Sequence, residues 1–497
     1  MPSDNAPRTP TLARHMGLLG LIATGVCSMV GGAINVIPVM VQRNVPGIGP
    51  WVPLAYALAV VPAALAAFAY AILASGMPRA GGSYVYASRS IHPYVGFIAS
   101  FSQWFGLAAA MGVVAYILVP FLRDIAIAVG AVQGAALLDT GVVRVALALL
   151  FVWGATILNL LGVKTYERAV ITLMFLGLIS GLILIPAGFA HDHVDYAGVI
   201  ASAGEPLPPA PAAPLNLVLV FAATPVLFSS FIGFDSIAQA GGEAKNPGRA
   251  LPLAIGICLV GVTVFYMLFT GAVYHSVPWW YVAGRAQSTD LTAPGLLAPL
   301  LPSTLAVLVV AGAAVSLFNS LPGMLLGISR LMFAWGEDRI FLPVVARIHS
   351  RWRTPHVAIL ISSATASVAV FGCELAGDFF LGVDLLVIGM LVNFIVMCLS
   401  VIALPYRNPE LAREIRFVKT RSAQLVLAGL GGVTLTLLLV AQIAKDLTSE
   451  PPHWYLHSTW SYLVVVALGS LIFGYRWRLL RNEAADPMER FRSLPPS

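Results

Sequence analysis

Long apolar blocks separated by short polar breaks recur along this chain, and this alternation constrains its fold more than any other feature. A helix needs about 20 residues, each rising ~1.5 Å, to cross the hydrocarbon core of a bilayer, and the blocks reach that length. Hydrophobic residues make up 59% of the chain and charged residues 10%, whereas soluble domains carry roughly 25% charged residues. The pattern predicts an all-α integral membrane protein.

The apolar blocks divide into about twelve predicted membrane spans. The eighth is longer than one crossing needs, so we expect it to tilt or to run past the membrane surface. The predicted spans cover residues 17–41, 51–74, 94–121, 142–161, 167–190, 216–242, 251–275, 302–335, 355–373, 380–404, 422–444 and 459–482.

Lysine and arginine are distributed unevenly between the two sets of loops. With the N-terminus inside, 23 of the 28 basic residues fall on the inner side of the membrane and 5 on the outer side. Because basic loops stay in the cytoplasm, this asymmetry predicts a multi-pass protein of the cell (inner or plasma) membrane with cytoplasmic tails at residues 1–16 and 483–497. The basic residues do not form the single positive face that nucleic-acid binding requires, which excludes that class.

The reactive residue types exclude several further classes. The four cysteines lie in or beside apolar segments without a CxxC pair, so neither a disulfide framework nor a zinc site is predicted. The nine histidines lie in loops, in tails or near the ends of spans, and no H-E-x-x-H, G-x-S-x-G or P-loop motif occurs. We therefore expect no enzymatic activity, no ATP-driven pumping and no cofactor.

Two predicted spans contain clusters of small and polar residues near their middle. The first span includes Gly-Val-Cys-Ser-Met-Val-Gly-Gly-Ala-Ile-Asn at 25–35, and the sixth includes Ser-Ser-Phe-Ile-Gly-Phe-Asp-Ser at 229–236. Glycine costs a helix about 1 kcal/mol relative to alanine, so such clusters favour a local opening, although close helix packing is an alternative. The first and sixth positions favour the opening, because inverted-repeat transporters interrupt their helices at corresponding positions of two halves.

An opened helix leaves peptide groups free at membrane depth. The half-helix after the break offers N–H groups and a positive dipole end, and the half-helix before it offers carbonyl groups. A zwitterion fits both, with its carboxylate on the N–H groups and its ammonium on the carbonyls. The predicted ligand is therefore an amino acid or a related amine.

Asp235 is the most informative residue of the sixth span. A carboxylate near the bilayer centre costs about 2.5–3.5 kcal/mol on the insertion scale, so such residues usually serve a pathway or an ion pair. Ser236 and Gln239 fit an S-x-x-Q capping box, and starting a half-helix is therefore an alternative role. A proton-linked or substrate-linked role is compatible with it.

The motifs near these breaks resemble those of the amino acid–polyamine–organocation superfamily. Met-Pro-Arg-Ala-Gly-Gly-Ser-Tyr-Val-Tyr follows the second span at 77–86, and Glu-Ala-Lys-Asn-Pro-Gly-Arg-Ala-Leu-Pro follows the sixth at 243–252. Ser-Arg-Leu at 329–331 resembles the end of the family's eighth helix, and Thr-Pro at 354–355 resembles the start of its ninth. Order and spacing together make the resemblance specific over most of the chain.

The resemblance implies a five-plus-five inverted repeat with interrupted helices 1 and 6. The first repeat would cover residues 17–190, the second 216–404, and two additional helices 422–482. Substrate would lie between helices 1, 3, 6, 8 and 10, and transport would proceed by alternating access.

The site residues implied by the resemblance fall into three groups. Backbone N–H groups for the carboxylate would come from Gly31, Gly32 and Ala33. Carbonyls for the amine would come from Met29, Ser229 and Ile232, next to Phe231 and Asp235. The side-chain pocket would be lined by Gly106, Met111 and Met324, for which ordinary helix packing is an equal alternative.

Coupling to an ion is left open by the residues. Some proton-coupled relatives carry a lysine in helix 5, but Gly177 stands at the corresponding position, which argues against lysine-based coupling. A sodium site is conceivable at Ser316 or Ser320, where packing is the simpler interpretation. A proton and a sodium ion both remain candidates for the coupling ion.

The sequence favours a secondary active transporter for neutral amino acids, because no basic residue and one acid lie in the predicted core. A cationic amino acid or a polyamine paired with Asp235 is the alternative substrate. A membrane sensor that binds amino acids without moving them is the alternative class.

Overall fold

The computed structural model describes residues 12, 14–31, 33–202, 204, 207–377, 379–449, 453–483 and 486–495. Within them, twelve helices are long and apolar enough to cross a membrane, which confirms the predicted all-α membrane fold. Helices 1 to 12 cover Leu18–Asn44, Gly49–Gly76, Pro93–Ala128, Gly141–Leu160, Val163–Ala190, Leu217–Gln239, Pro247–Ser276, Ser303–Glu337, His356–Ala376, Phe380–Arg407, Arg421–Thr448 and Ser458–Glu483.

Helices 3 and 8 form the centre of the bundle. They have 36 and 35 residues and pack against each other. At ~1.5 Å per residue, each is longer than the hydrocarbon core of about 30 Å. Helix 8 also contacts helices 1, 4, 5 and 9, and helix 3 contacts helices 4, 9 and 10. Helices 11 and 12 lie at the periphery, on helices 2 and 10 and on helices 3 and 10 respectively.

Helices 1 and 6 are both interrupted. Helix 1 consists of Leu18–Val30 and Ala33–Asn44, here called helices 1a and 1b; the predicted site residue Gly32 lies outside the described residues. Helix 6 consists of Leu217–Phe228 (helix 6a), a 3₁₀ turn at Ser229–Phe231, an extended Ile232 and the short helix Asp235–Gln239 (helix 6b). Both spans therefore open where the sequence places glycine and polar residues.

Short helices join several spans on the two sides of the membrane. Gly82–Ser90 precedes helix 3 and is buried along its whole length. Gly81 introduces it with φ of 77°, and a Cβ atom there would lie 2.3 Å from the Cβ of Ala334, so only glycine fits. The other short helices are Val132–Leu138, His193–Ser202, Trp279–Ala286, Ala293–Leu297 and Pro409–Arg413.

Candidate functional site

The two helix breaks contact each other in the middle of the bundle. Gly233 has φ of 143°, a region that side chains rarely adopt. A Cβ atom on it would lie 2.7 Å from the carbonyl carbon of Ser28 and 2.8 Å from the backbone nitrogen of Met29. The opened segment of helix 6 therefore lies directly on the end of helix 1a, and glycine makes this approach possible.

Tyr266 of helix 7 connects the two breaks. Its hydroxyl oxygen lies 2.6 Å from the carbonyl oxygen of Met29 and 2.9 Å from that of Ser230. The single proton can be donated to either carbonyl, so one phenol serves both interrupted helices. The Tyr266 ring packs edge-on against Tyr56 and Phe231, and the Tyr56 hydroxyl is 2.6 Å from Ser230 Oγ. The aromatic cluster thereby holds the geometry of the opened backbone.

A small cavity of about 40 Å³ lies beside these breaks, between helices 1, 3, 6, 8 and 10. These are the five helices that the resemblance implies. Among the described residues that line the cavity, every side chain apart from two serines is apolar. The lining residues are Ser28, Met29, Ile37, Ala110, Val113, Val114, Ile117, Ser229, Ile232, Met324, Val383 and Leu386.

Four of the residues predicted for the site line this cavity, namely Met29, Ser229, Ile232 and Met324. Other residues predicted for the site do not line the cavity but pack against the surrounding helices. Gly31 packs on helix 8, where an added Cβ would be 2.3 Å from Ser320 Cβ, and Gly106 packs on the backbone of Leu386 in helix 10. Met111 and Phe231, which are also predicted for the site, are buried in the surrounding core. Ala33 is the first residue of helix 1b.

Asp235 is fully buried at the start of helix 6b and does not belong to the cavity lining. Its Oδ1 accepts the N–H of Gly233 at 3.0 Å, and its Oδ2 accepts Nε2 of Gln103 at 2.5 Å. Among the described residues, no lysine, arginine or histidine forms an ion pair with it. In the described structure, this carboxylate at membrane depth is thus held by N–H donors and not by a cation.

Gln103 extends the contact of Asp235 into a buried polar network. Its Oε1 accepts the Ser83 hydroxyl at 2.5 Å, the Gln239 amide at 3.3 Å and the Asn393 amide at 3.2 Å. The network therefore joins helices 3, 6b and 10 to the short helix Gly82–Ser90. Because the Gln239 amide is directed to Ser83 and Gln103, the predicted capping box does not form, and within the described chain the Ser236 hydroxyl has no partner.

The predicted sodium-site serines make packing contacts. The Ser320 hydroxyl donates to Leu317 O at 2.7 Å, and Ser316 lies against Gly177, where an added Cβ would be 2.7 Å from Ser316 Cβ. Asn319, which sequence reasoning missed, donates from its amide to Val170 O at 3.0 Å. Its Oδ1 is buried without a partner in the described structure, so an unsatisfied acceptor lies close to these serines.

Ion pairs close both ends of the bundle. At the end of the bundle that carries Gly82–Ser90, Arg330 donates to both oxygens of Glu243 at 2.6 and 3.2 Å, and all these groups are 1% exposed. Arg89 pairs with Asp338, which is also buried. At the opposite end, Asp290 accepts Arg43 at 3.1 Å and Arg144 at 2.8 Å, and these side chains are partly exposed.

Comparison with known proteins gives consistent similarities. The chain matches the amino acid permease family over residues 16–468. It is 26% identical to a vacuolar cationic amino acid transporter 4 of Arabidopsis thaliana, with 80% of this chain and 64% of the relative covered. It is 25% identical to the branched-chain amino acid permease BcaP of Bacillus subtilis, with 82% and 84% covered. It is 25% identical to the low-affinity putrescine importer PlaP of Escherichia coli, with 71% and 73% covered.

The alignments cover different shares of the full lengths of these relatives. The alignment spans 64% of the Arabidopsis thaliana transporter named above and 61% of a second one, the vacuolar cationic amino acid transporter 2, which is less than two thirds of each. The two bacterial proteins are matched over most of their length.

Proposed function

Because this chain belongs to the amino acid permease family, we propose that it is a secondary active transporter that moves amino acids across the membrane by alternating access. The family match confirms the resemblance inferred from the sequence motifs. The matched family and relatives are permeases and transporters, so the chain is not an enzyme, as predicted. With twelve apolar helices, it is a multi-pass membrane protein.

The proposed substrate is a neutral amino acid with a small or apolar side chain. The cavity lining carries this proposal, because none of the described residues that line it is ionisable. A charged side chain entering the cavity would lose its hydration without gaining a partner there. The Bacillus subtilis relative is named for branched-chain amino acids, which fall in the same class.

The backbone at the breaks would hold the two charged ends of the substrate. Carbonyls of Met29, Ser229 and Ile232 would accept the ammonium, and N–H groups at the start of helix 1b would donate to the carboxylate. The Tyr266 hydroxyl already contacts Met29 O, but a carbonyl oxygen has two lone pairs and can accept a second donor. The cavity must widen to admit an amino acid, which agrees with a closed conformation between two open ones.

A cationic amino acid or a polyamine is the second candidate. Asp235 favours it, since this buried carboxylate has no cation beside it among the described residues. Relatives named for cationic amino acids and for putrescine belong to the same group of similar proteins. Such a substrate would have to displace Gln103 or extend past Ile232 to reach the acid.

We propose the five-plus-five repeat as the framework for alternating access. Its support is a paired packing pattern: helix 5 lies on helix 8 as helix 10 lies on helix 3, and helix 1a lies on helix 7 as helix 6a lies on helix 2. Exchanging the two halves, 17–190 with 216–404, converts each contact into its partner. Both tails are proposed to be cytoplasmic, and the coupling ion is a proton or sodium.

Uptake by proteoliposomes tests the substrate proposal. Purified protein should accumulate labelled leucine or alanine under an imposed proton or sodium gradient, and excess unlabelled neutral amino acids should compete. Saturable uptake of arginine or putrescine that leucine does not inhibit would favour the second candidate. Stabilisation by leucine without flux under any gradient would indicate a sensor and would contradict transport.

A further inference from the structure

A basic pocket lies at the inner end of helix 10, away from the candidate site. It has a volume of about 550 Å³ and is formed by the end of helix 10, the helices Gly82–Ser90 and Pro409–Arg413, and segment 486–495, here called the tail segment. The charged residues that line it are Arg89, Arg407, Glu410, Arg413 and Arg492.

Three of the four guanidinium groups are available to a ligand. Arg407 and Arg413 are exposed and form no ion pair or hydrogen bond with the part of the chain that the structure describes. Arg492 is 77% exposed and approaches Asp486 only to 3.7 Å. Arg89 is already neutralised by Asp338. Since Glu410 is the single carboxylate among the described residues of the lining, these residues carry excess positive charge.

The positive charge of Arg407 acts on the neighbouring His92. Burial, and after it the positive charge of Arg407, lower the pKa of His92 below its ordinary value. An anion in the pocket would lie close to this charge.

The pocket lies where a membrane surface is expected. Helix 10 ends at Arg407, and the preceding residue Tyr406 is 77% exposed, as is typical of aromatic residues at the interface between lipid and water. The lining also includes the apolar side chains of Ile91, Met488 and Phe491. A ligand that combines an anionic group with an apolar part would match this lining.

We propose that this pocket binds the phosphate headgroup of an anionic phospholipid. Guanidinium groups match phosphate oxygens in charge and geometry, and basic pockets beside membrane helices bind such headgroups. Inorganic phosphate shares the recognition chemistry, but it offers nothing to the exposed Tyr406 or the apolar lining. The inference concerns a surface outside the transport site and does not depend on the proposed substrate.

The same site would stabilise the inner closure. In the tail segment, Pro495 O accepts the Nε–H of Arg79 at 3.0 Å, and Ser493 O accepts the Nε–H of Arg89 at 3.2 Å. Arg490 of the same segment donates to Asp338 O at 3.0 Å. A headgroup between the tail segment and helix 10 would hold these contacts in place.

Lipid titration of the purified full-length protein in detergent tests the site. Short-chain phosphatidylglycerol should bind saturably and raise the thermal unfolding temperature, measured alongside native mass spectrometry of bound lipid. The double variant Arg407→Gln/Arg413→Gln should weaken binding roughly 25-fold, at about fivefold for each basic residue. The control Arg347→Gln/Arg351→Gln removes the same charge from the exposed loop after helix 8 and should change affinity less than about twofold.

A variant that should strengthen lipid binding distinguishes a direct effect on the pocket from general damage to the fold. Glu410→Gln removes a carboxylate from the lining and should tighten phosphatidylglycerol binding about fivefold. Equal binding of phosphatidylcholine, or unchanged affinity of the Arg407→Gln/Arg413→Gln variant, would overturn the proposal. Equal stabilisation by inorganic phosphate or glycerol phosphate at the same concentrations would show that the bound phosphate group need not come from a lipid, and would overturn the proposed ligand.

Discussion

Tyr266 joins the two helix breaks through one hydroxyl group, and this makes a residue-scale prediction. Tyr266→Phe keeps the ring against Tyr56 and Phe231 but removes the donor to Met29 O and Ser230 O. Loss of one hydrogen bond costs about 1 kcal/mol, so we expect the KM of uptake to rise about fivefold. The thermal unfolding temperature should fall only slightly, because packing is retained.

Tyr274 supplies the matched control for this measurement. It lies two turns further along helix 7, is hydrogen-bonded through its hydroxyl to Pro38 O at 2.7 Å, and is absent from the cavity lining. Tyr274→Phe removes a comparable bond and should leave KM near its original value. Equal KM values for the two variants would mean that Tyr266 has no special role in positioning the site.

Asp235 makes a second prediction at this scale. Asp235→Asn preserves the shape of the side chain and abolishes its titration, so a coupled proton would lose its carrier. We expect uptake by proteoliposomes to become independent of an imposed pH gradient. Asp384→Asn is the control, because Asp384 is paired with Lys445 at 3.1 Å towards the outer side. If uptake driven by a pH gradient persists in Asp235→Asn, Asp235 is not the proton carrier.

The sequence predicts part of the candidate site for identifiable physical reasons. Met29, Ser229 and Ile232 line the cavity because they flank breaks that glycine and polar residues mark in the sequence. Val113 and Val383 line it equally, but an apolar residue within an apolar span carries no signal that separates a cavity from lipid or core. Only the tertiary arrangement of helices 3 and 10 distinguishes them.

At the scale of elements, the break in helix 6 depends on Gly233. An alanine there would have to adopt φ of 143° and place its Cβ 2.7 Å from backbone of Ser28, which cannot yield as a side chain can. Backbone strain of this kind costs about 1–3 kcal/mol. We expect Gly233→Ala to lower the thermal unfolding temperature and to abolish uptake.

Helix 7 offers a glycine for comparison. Gly256 lies in its interior with nothing within 4 Å of an added Cβ. Gly256→Ala should therefore keep uptake and leave stability unchanged or raise it by up to about 1 kcal/mol. Similar losses of uptake in both glycine variants would show that a general effect of substitution, rather than the geometry of the break, is responsible.

Helix boundaries and buried connections are less accessible from sequence than the spans. Helix 3 continues to Ala128, beyond the predicted end at 121, because Arg123 and Asp124 pair at 3.0 Å and neutralise each other. The helix Gly82–Ser90 is buried although it contains Arg89, whose partner Asp338 lies 249 residues further along the chain. Hydropathy interprets such charges as solvated, since it contains no information about distant partners.

At the scale of the whole molecule, the two closures differ in strength. Arg330 and Glu243 are each 1% exposed, whereas Arg43 and Asp290 at the opposite end of the bundle are 21% and 19% exposed. Breaking a buried ion pair costs about 3–5 kcal/mol, and access of water weakens an ion pair. The described conformation is therefore held more firmly at the end with Arg330 and Glu243 than at the end with Arg43 and Asp290.

The orientation of the molecule gives the last prediction. Met16, which precedes helix 1, pairs with the loop before helix 7, and Arg490 of the tail segment contacts Asp338 after helix 8, so these segments share one side, as the basic-residue asymmetry predicts. All four native cysteines are buried and should give little background labelling. In intact cells, an impermeant maleimide should label Ser288→Cys on the outer side but should label Ser350→Cys only after lysis. Labelling of Ser350→Cys without lysis would invert the proposed topology, and with it the side on which the phospholipid pocket lies.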